Sequence, residues 1–389
     1  MTDRHFQIQC RIVAAVWLLA LVLVSLQASA RHNNNFEIFR TAWDNLVAGR
    51  DLYGANPTHE DFYKYSPTFA LLFAPFALVP FAAGVLLWNA TNALALYWSI
   101  GRVLEPRAAL AARAIVFLDA VGSMQNAQSN ALSAGLMILA FSFLHARREV
   151  RAALVIAIGT AIKIFPIVAG VFALFRPYRL PRFALVSVAV ALVFVAAPLA
   201  VLSPAELLAQ YRSWGDISGR DALTRGYSVM EQVHLWTGLD WPNWPVQLFG
   251  AVVLLAPLAR ISRWGVERFR LLFLASVLMF SVLFNHKAES PTFVVAAAGV
   301  AVWFMVSARD RLAWSAFALF VVGTVLSASD AMPEALQEGF FEPYRFKTIP
   351  VLVVWILTQS ALWRESSAPR QSGSVPLPAP ESAPAIGGR

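Results

Sequence analysis

Charge is scarce in this chain: Asp, Glu, Lys and Arg together make up 14% of its 389 residues. Cysteine is nearly absent, and the single Cys10 excludes an intramolecular disulfide and any cysteine metal cluster. No P-loop, glycine-rich dinucleotide fingerprint or Asp-x-Asp nucleotide-sugar motif occurs, which argues against cytosolic nucleotide chemistry. Histidine does not cluster either, so no zinc site, no other divalent ion and no further cofactor is implied. What the chain has instead is apolar residues, 58% of the total, too many for one soluble core. They come in blocks rather than in amphipathic alternation, and such blocks read as transmembrane helices.

The blocks run from Ile12 to Ala30, Phe69 to Ile100, Ala108 to Val121, Ala131 to Leu144, Ala152 to Phe175 and Phe183 to Leu202. They resume at Val246 to Leu258, Leu271 to Phe284, Thr292 to Val306, Leu312 to Leu326 and Ile349 to Leu362. At roughly 20 residues per crossing, and with the long runs divided at proline, about ten to twelve membrane helices are expected. Pro75 and Pro80 interrupt one long run and Pro166 another, and proline inside a helix forces a kink, a break or a re-entrant pair. The first run ends in Ala28-Ser29-Ala30, a pattern shared by cleavable signal peptides and by retained anchors.

The net charge of +8 comes from arginine clusters between the runs, so topology explains it and no nucleic-acid partner is implied. Arg102/Arg107/Arg113, Arg147/Arg148/Arg151, Arg176/Arg179/Arg182, Arg260/Arg263/Arg268/Arg270 and Arg309/Arg311 fall on one side with both termini. That side is expected to be cytoplasmic. For Arg151 and Arg176 to share it, Ala152 to Phe175 must enter and return as two arms around Pro166. The long loops Arg31 to Tyr65, Ser203 to Trp244 and Asp330 to Lys347 then face outward, toward the periplasm of an inner-membrane protein. A domain over 1–364 and a disordered cytoplasmic tail over 365–389, rich in Pro, Ser, Ala and Gly, complete the organisation.

Polar groups at the ends of membrane spans are functional candidates, because lipid makes them costly. In the first outer loop, Phe36, Phe39, Trp43, Leu46 and Val47 recur at helical spacing opposite Glu37, Arg40, Thr41, Asp44 and Asn45. That pattern predicts an amphipathic helix in the membrane interface, closed by Gly49. Glu37 or Asp44 can serve as a general base or can belong to a solvated face.

Ser66-Pro67-Thr68-Phe69 recurs as Ser290-Pro291-Thr292-Phe293, each behind a lysine, Lys64 and Lys287. Serine followed by proline makes a good helix start, and a helix start offers free N–H groups to an anion. Tyr65 adjoins the first of these starts. Asn285-His286-Lys287-Ala288-Glu289 packs an amide, an imidazole, a cation and an acid at a boundary. Gln125, Asn126, Gln128 and Asn130 set amides in a turn, suited either to backbone groups or to sugar hydroxyls. Asp119 and Lys163 are lone charges within apolar runs and are candidate partners of each other. The aromatics of Ser203 to Trp244 suit an interfacial girdle or stacking on an acceptor sugar.

The stretch Asn35-Phe36-x-x-Phe39-x-x-Ala42-x-x-x-Leu46-x-x-Gly49-x-x-Leu52-Tyr53, with Tyr65-Ser66-Pro67 and Pro75-x-x-x-x-Pro80, resembles glycosyltransferase family 87. Gln125-x-x-Gln128-Ser129-Asn130 and Lys163-x-x-Pro166 resemble two further signatures of it, and the likeness covers most of residues 30 to 320. The resemblance implies an all-α, polytopic GT-C-like bundle with broken or re-entrant segments. It implies an inverting hexosyltransferase that takes mannose from a polyprenyl-phosphate donor to a lipid or glycan acceptor, with the active site on the periplasmic face. The family usually carries an aspartate where this chain has Asn35, and an amide cannot take a proton at neutral pH. Glu37, Asp44 and Glu289 therefore stand as candidate bases. Lys64, Tyr65, Ser66, Lys163, His286, Lys287 and Ser290 are candidates for donor and phosphate, and Asn35, Asp119, Gln125, Gln128, Asn130 and Asn285 for sugar and acceptor. The alternatives are a transporter or flippase of a lipid-linked or anionic solute, built on broken helices, and a family member with lapsed catalysis.

Overall fold

The computed structural model describes residues 3–329 and 332–364, which hold helices and no strand; the tail 365–389 lies outside the described residues. The chain is an all-α membrane protein, and each helix boundary has a local cause. Helix α1 (Asp3–Ala30) is long and unbroken, and its Trp17, Leu21 and Val24 pack into the bundle. Asn33 starts α2 (Asn34–Val47) by accepting from the Phe36 amide at 3.1 Å. Gly49, at φ +65°, ends the turn after it. Ser66 caps α3 (Pro67–Leu72), and after a break at Phe73 the short α4 (Ala74–Ala77) follows. Pro80 then precedes α5 (Phe81–Ile100), so the prolines divide this apolar run as expected.

Helices α6 (Pro106–Ile115) and α7 (Phe117–Gln125) are together long and apolar enough for one crossing and meet at a bend of 48°. Helix α8 (Asn130–His145) is buried along nearly its whole length, between α5 and α9 (Glu149–Ile162). Lys163 adopts extended backbone and ends α9, and a tight helical segment Phe165–Phe175 follows. This segment returns to the end it left: Arg179 bonds Glu149 at 2.5 Å, and Arg176 donates to the His145 carbonyl at 3.1 Å. The re-entrant pair required by the arginine clusters is therefore present.

Helix α10 (Leu180–Ala196) is the most lipid-like element, with Leu185 72% and Leu192 65% exposed. The outer loop after it contains α11 (Pro204–Arg220) and α12 (Val229–Thr237). Helix α13 (Asn243–Leu255) leads to two further enclosed helices, α14 (Glu267–Leu283) and α15 (Phe293–Val306). The chain then runs through α16 (Arg311–Phe320), the one-turn α17 (Glu334–Leu336) and α18 (Thr348–Arg364).

Two expectations change here. Among the described residues, three helical stretches are singly long and apolar enough to cross a membrane, Arg4–Ala30, Pro177–Ala200 and Arg311–Ala328, with the bent α6–α7 pair as a fourth. The other apolar runs are shorter or broken helices. Breaks at membrane depth are tolerated where neighbouring protein satisfies the freed backbone groups, and α8 and α15 have such neighbours. Nor does α2 bury its apolar face in lipid. Phe36 and Phe39 pack edge-on against Phe73 at 5.3 Å each, and Phe39 also meets Phe69 at 5.2 Å and Trp88 at 5.9 Å. Aromatic partners within the protein compete successfully with the interface for that face.

Helices α14 and α15 approach closely at Gly299, where an added Cβ would lie 2.7 Å from the Ala275 carbonyl oxygen. Gly299→Leu should therefore destabilise the purified protein by about 1–3 kcal/mol or more, read as a lowered midpoint of thermal unfolding in detergent. An unchanged midpoint would contradict this packing.

Candidate functional site

At the end of the bundle away from the arginine clusters, four polar segments meet. Lys163 is free to reach inward because α9 stops at Ile162. Its Nζ donates to Asn130 Oδ1 at 2.7 Å and lies 3.5 Å from Gln128 Oε1. The other end of the same amide, Gln128 Nε2, donates to Glu289 Oε2 at 3.1 Å. Gln128 thus spaces a cation from a carboxylate without letting them touch. Gln128 and Asn130 are buried, while Glu289 is exposed and open to a reactant. The Tyr65 ring lies 6.0 Å from Lys163 Nζ, within cation–π range. Burial, and next the negative Glu289, push the Tyr65 phenol well above its ordinary range, so it remains a hydrogen-bond donor.

The turn that carries Gln128 is itself held. Asn35 Nδ2 donates to the Asn126 carbonyl at 2.8 Å, Asn33 Nδ2 to the Gln125 carbonyl at 3.0 Å, and Trp88 Nε1 to the Ala127 carbonyl at 2.8 Å. Asn35 therefore buttresses the turn with an N–H, which a carboxylate at this position could not supply. Ser66 is fastened too, donating to the Ala161 carbonyl at 2.6 Å and accepting from the Phe69 amide at 3.2 Å.

A second charged node adjoins the first. Lys347 Nζ donates to Ser290 Oγ at 3.1 Å and lies 3.7 Å from Asp119 Oδ1, both charged side chains being buried. Asp119 therefore pairs with Lys347 and not with Lys163, because α7 places it beside the chain that leads into α18. Sequence reasoning passed over Lys347, although Lys347-Thr348-Ile349-Pro350 repeats the pattern of a lysine before a proline-started helix.

Other candidates are placed differently. Lys64 pairs with Asp61 at 3.0 Å on an exposed loop, and its carbonyl accepts from Trp214 Nε1 at 3.2 Å. Lys347, not Lys287, is the cation bonded to Ser290. Ser290 is not a cap, for Glu289 occupies that position in a capping box with Thr292. Asn285 Oδ1 accepts from the Lys287 amide at 3.0 Å, a local turn contact. His286 is held by neighbours: its carbonyl accepts from Thr224 Oγ1 at 3.2 Å, and Gln247 Nε2 lies 3.4 Å from its Nδ1. Close packing over this loop requires glycine at Gly226, φ +51°, where a Cβ would collide with the Ala288 carbonyl. On α2, Asn34 and Thr41 bond the loop at Glu60 and Thr58, which puts Glu37 between them on the face turned to that loop. Asp44 is exposed beyond it, and Gln125 projects an exposed side chain. In the Ser203 to Trp244 loop, Trp236, Trp241 and Trp244 are exposed, as a girdle requires.

An apolar groove of about 240 Å³ is lined from Ile164, the residue that follows Lys163 in the chain. Ile164, Ile167, Val168 and Phe280 line it, with Gln247 and Asn285 as its polar edge, and Ile164 and Ile167 are more than half exposed.

The fold defines an all-α membrane protein, and its polar residues gather at this site. A family model for glycosyltransferase family 87 matches residues 62–285, more than half of the chain. The chain belongs to this family, and it is a membrane glycosyltransferase. No individual curated protein matches it.

The buried Asp119–Lys347 pair supplies a test that needs no substrate. Lys347→Met leaves a buried carboxylate without its partner and should cost about 3–5 kcal/mol. Adding Asp119→Asn should restore most of that stability. Chemical denaturation of the single and double variants in detergent measures the coupling, and purely additive losses would deny the pair.

Proposed function

We propose that the protein transfers a hexose from a polyprenyl-phosphate donor to a hydroxyl of a lipid or glycan acceptor, at the periplasmic face of the inner membrane. Mannose is the sugar that the resemblance brings with it. The observation that carries the reading is the Lys163–Gln128–Glu289 bridge, which sets one cation and one open carboxylate an amide's width apart. In this reading Glu289 takes the proton of the acceptor hydroxyl as its oxygen attacks the anomeric carbon. The bond from that carbon to the phosphate oxygen breaks, and polyprenyl phosphate leaves with the electron pair. Attack opposite the leaving group inverts the centre.

Lys163 faces the charge that grows on the departing phosphate, in a site where burial strengthens the interaction. The groove from Ile164 to Phe284 accommodates the first isoprene units, so the donor's lipid direction and its phosphate are fixed together. Asn130 and Gln128 offer amides to sugar hydroxyls once Lys163 turns to the phosphate. The acidic role passes from the first outer helix to Glu289 because Glu37 and Asp44 face the loop and solvent. Lys163, rather than a divalent ion, is the charge this mechanism uses.

Incubating the purified full chain with radiolabelled polyprenyl-phosphate mannose and a membrane lipid extract should produce a new labelled glycolipid. Glu289→Gln should lower that turnover at least about a hundredfold, and Lys163→Met by a similar factor. Asp44→Asn and Glu37→Gln should stay within about twofold of the parent, since neither touches the bridge. Full activity of Glu289→Gln would overturn the base assignment. Unconsumed donor that instead crosses vesicles would favour transport.

A further inference from the structure

Helix α8 has a second polar site at its other end. Its 16 residues put His145 about 22 Å from Asn130. There a cleft forms between the C-terminus of α8, the re-entrant return and the start of α14, lined by Arg176, Arg179 and Arg270 over a floor of Phe141, Phe172 and Phe175. Glu149 is the carboxylate among the cleft's lining residues, and it is taken by Arg179 at 2.5 Å. Arg176 and Arg270 each spend one donor on a backbone carbonyl, that of His145 and that of Trp264. Arg270 Nη1 also lies 3.2 Å from His145 Nδ1, a contact that an unprotonated ring nitrogen accepts. Each guanidinium has five N–H donors, so both retain donors beyond those bonds. Beyond the Arg179–Glu149 pair the cleft therefore holds two guanidiniums against an aromatic wall, with Glu267 offsetting part of the charge of Arg270. Glu267, one turn before Arg270 on α14, lies outside its lining.

We propose that this cleft binds a phosphate group carried by an anionic amphiphile. Two guanidiniums suit phosphate oxygens better than any neutral headgroup, and their planar donor arrays favour paired contacts. The enclosed space is about 20 Å³, room for one water-sized oxygen. A phosphate thus directs one oxygen inward and keeps the rest at the mouth. The apolar wall continues to Phe183 at the base of the lipid-exposed α10, which leads a hydrocarbon tail into the bilayer. This site is separate from the transfer site and does not depend on the role of Glu289.

The same chemistry can come from a membrane phospholipid or from a soluble phosphate, and one experiment separates them. The purified full chain in detergent is titrated with phosphatidylglycerol, phosphatidylcholine or inorganic pyrophosphate, and bound species are counted by native mass spectrometry. The proposal expects one phosphatidylglycerol retained at least about tenfold more tightly than phosphatidylcholine. Arg176→Gln and Arg270→Gln should each lower that preference about tenfold. Displacement by pyrophosphate at equal concentration would identify a soluble phosphate as the better ligand of the same cleft. Because both arginines also brace carbonyls, the parent protein decides the matter if a variant fails to fold. No preference among the three ligands in the parent, or an unchanged preference in folded variants, overturns the proposal.

Discussion

An ammonium group inside a membrane bundle persists only if polar groups replace the water it has lost, and Lys163 sets this constraint on the protein. Asn130 and Gln128 supply those groups, and both come from the turn that begins α8. That turn in turn is pinned by Asn33, Asn35 and Trp88. Freeing the lysine also requires α9 to stop short, which it does where the chain becomes extended before Pro166. The broken helix and the charged centre are thus consequences of one another.

Helix α8 is the spine through which the two polar ends communicate with the fold. Its middle is buried and mostly apolar, while its first residue bonds Lys163 and its last offers a carbonyl to Arg176. The re-entrant pair wraps this helix, so the lysine at its tip and the arginines at its base are positioned by one hairpin. Opposite the hairpin, α14 and α15 close the core and deliver Glu289 at their connection. Gln128 keeps Lys163 apart from Glu289 at one end, and Arg176 and Arg270 stand outside the Arg179–Glu149 pair at the other. Such spacing leaves their charge available to a ligand instead of consuming it in an ion pair.

Much of this was legible from residue order. Proline positions located the breaks after Phe73 and before Phe81, and the arginine clusters required the return around Pro166. The family motifs pointed to the turn of Gln128 and Asn130 and to Lys163. Less legible was who pairs with whom. Asp119 and Lys163 were the two lone charges of their runs, yet Asp119 meets Lys347, more than two hundred residues later. Lys64 and Lys287 look equivalent as sequence, but Asp61 sits beside Lys64 and holds it in an exposed loop. An amphipathic period states that α2 has an apolar face and says nothing of whether lipid or the rings of Phe69 and Phe73 will cover it.

The order of residues alone determined that this chain is helical, lives in a membrane and breaks where proline falls. Those properties follow from solvation and backbone sterics, which act locally. Only the tertiary structure decided that Glu289, rather than Glu37 or Asp44, shares an amide with Lys163, and that Asn35 serves as a brace. Side chains from residues 65, 128, 163 and 289 become neighbours through helix packing, and the distances that govern proton transfer and charge stabilisation exist only after that packing is complete.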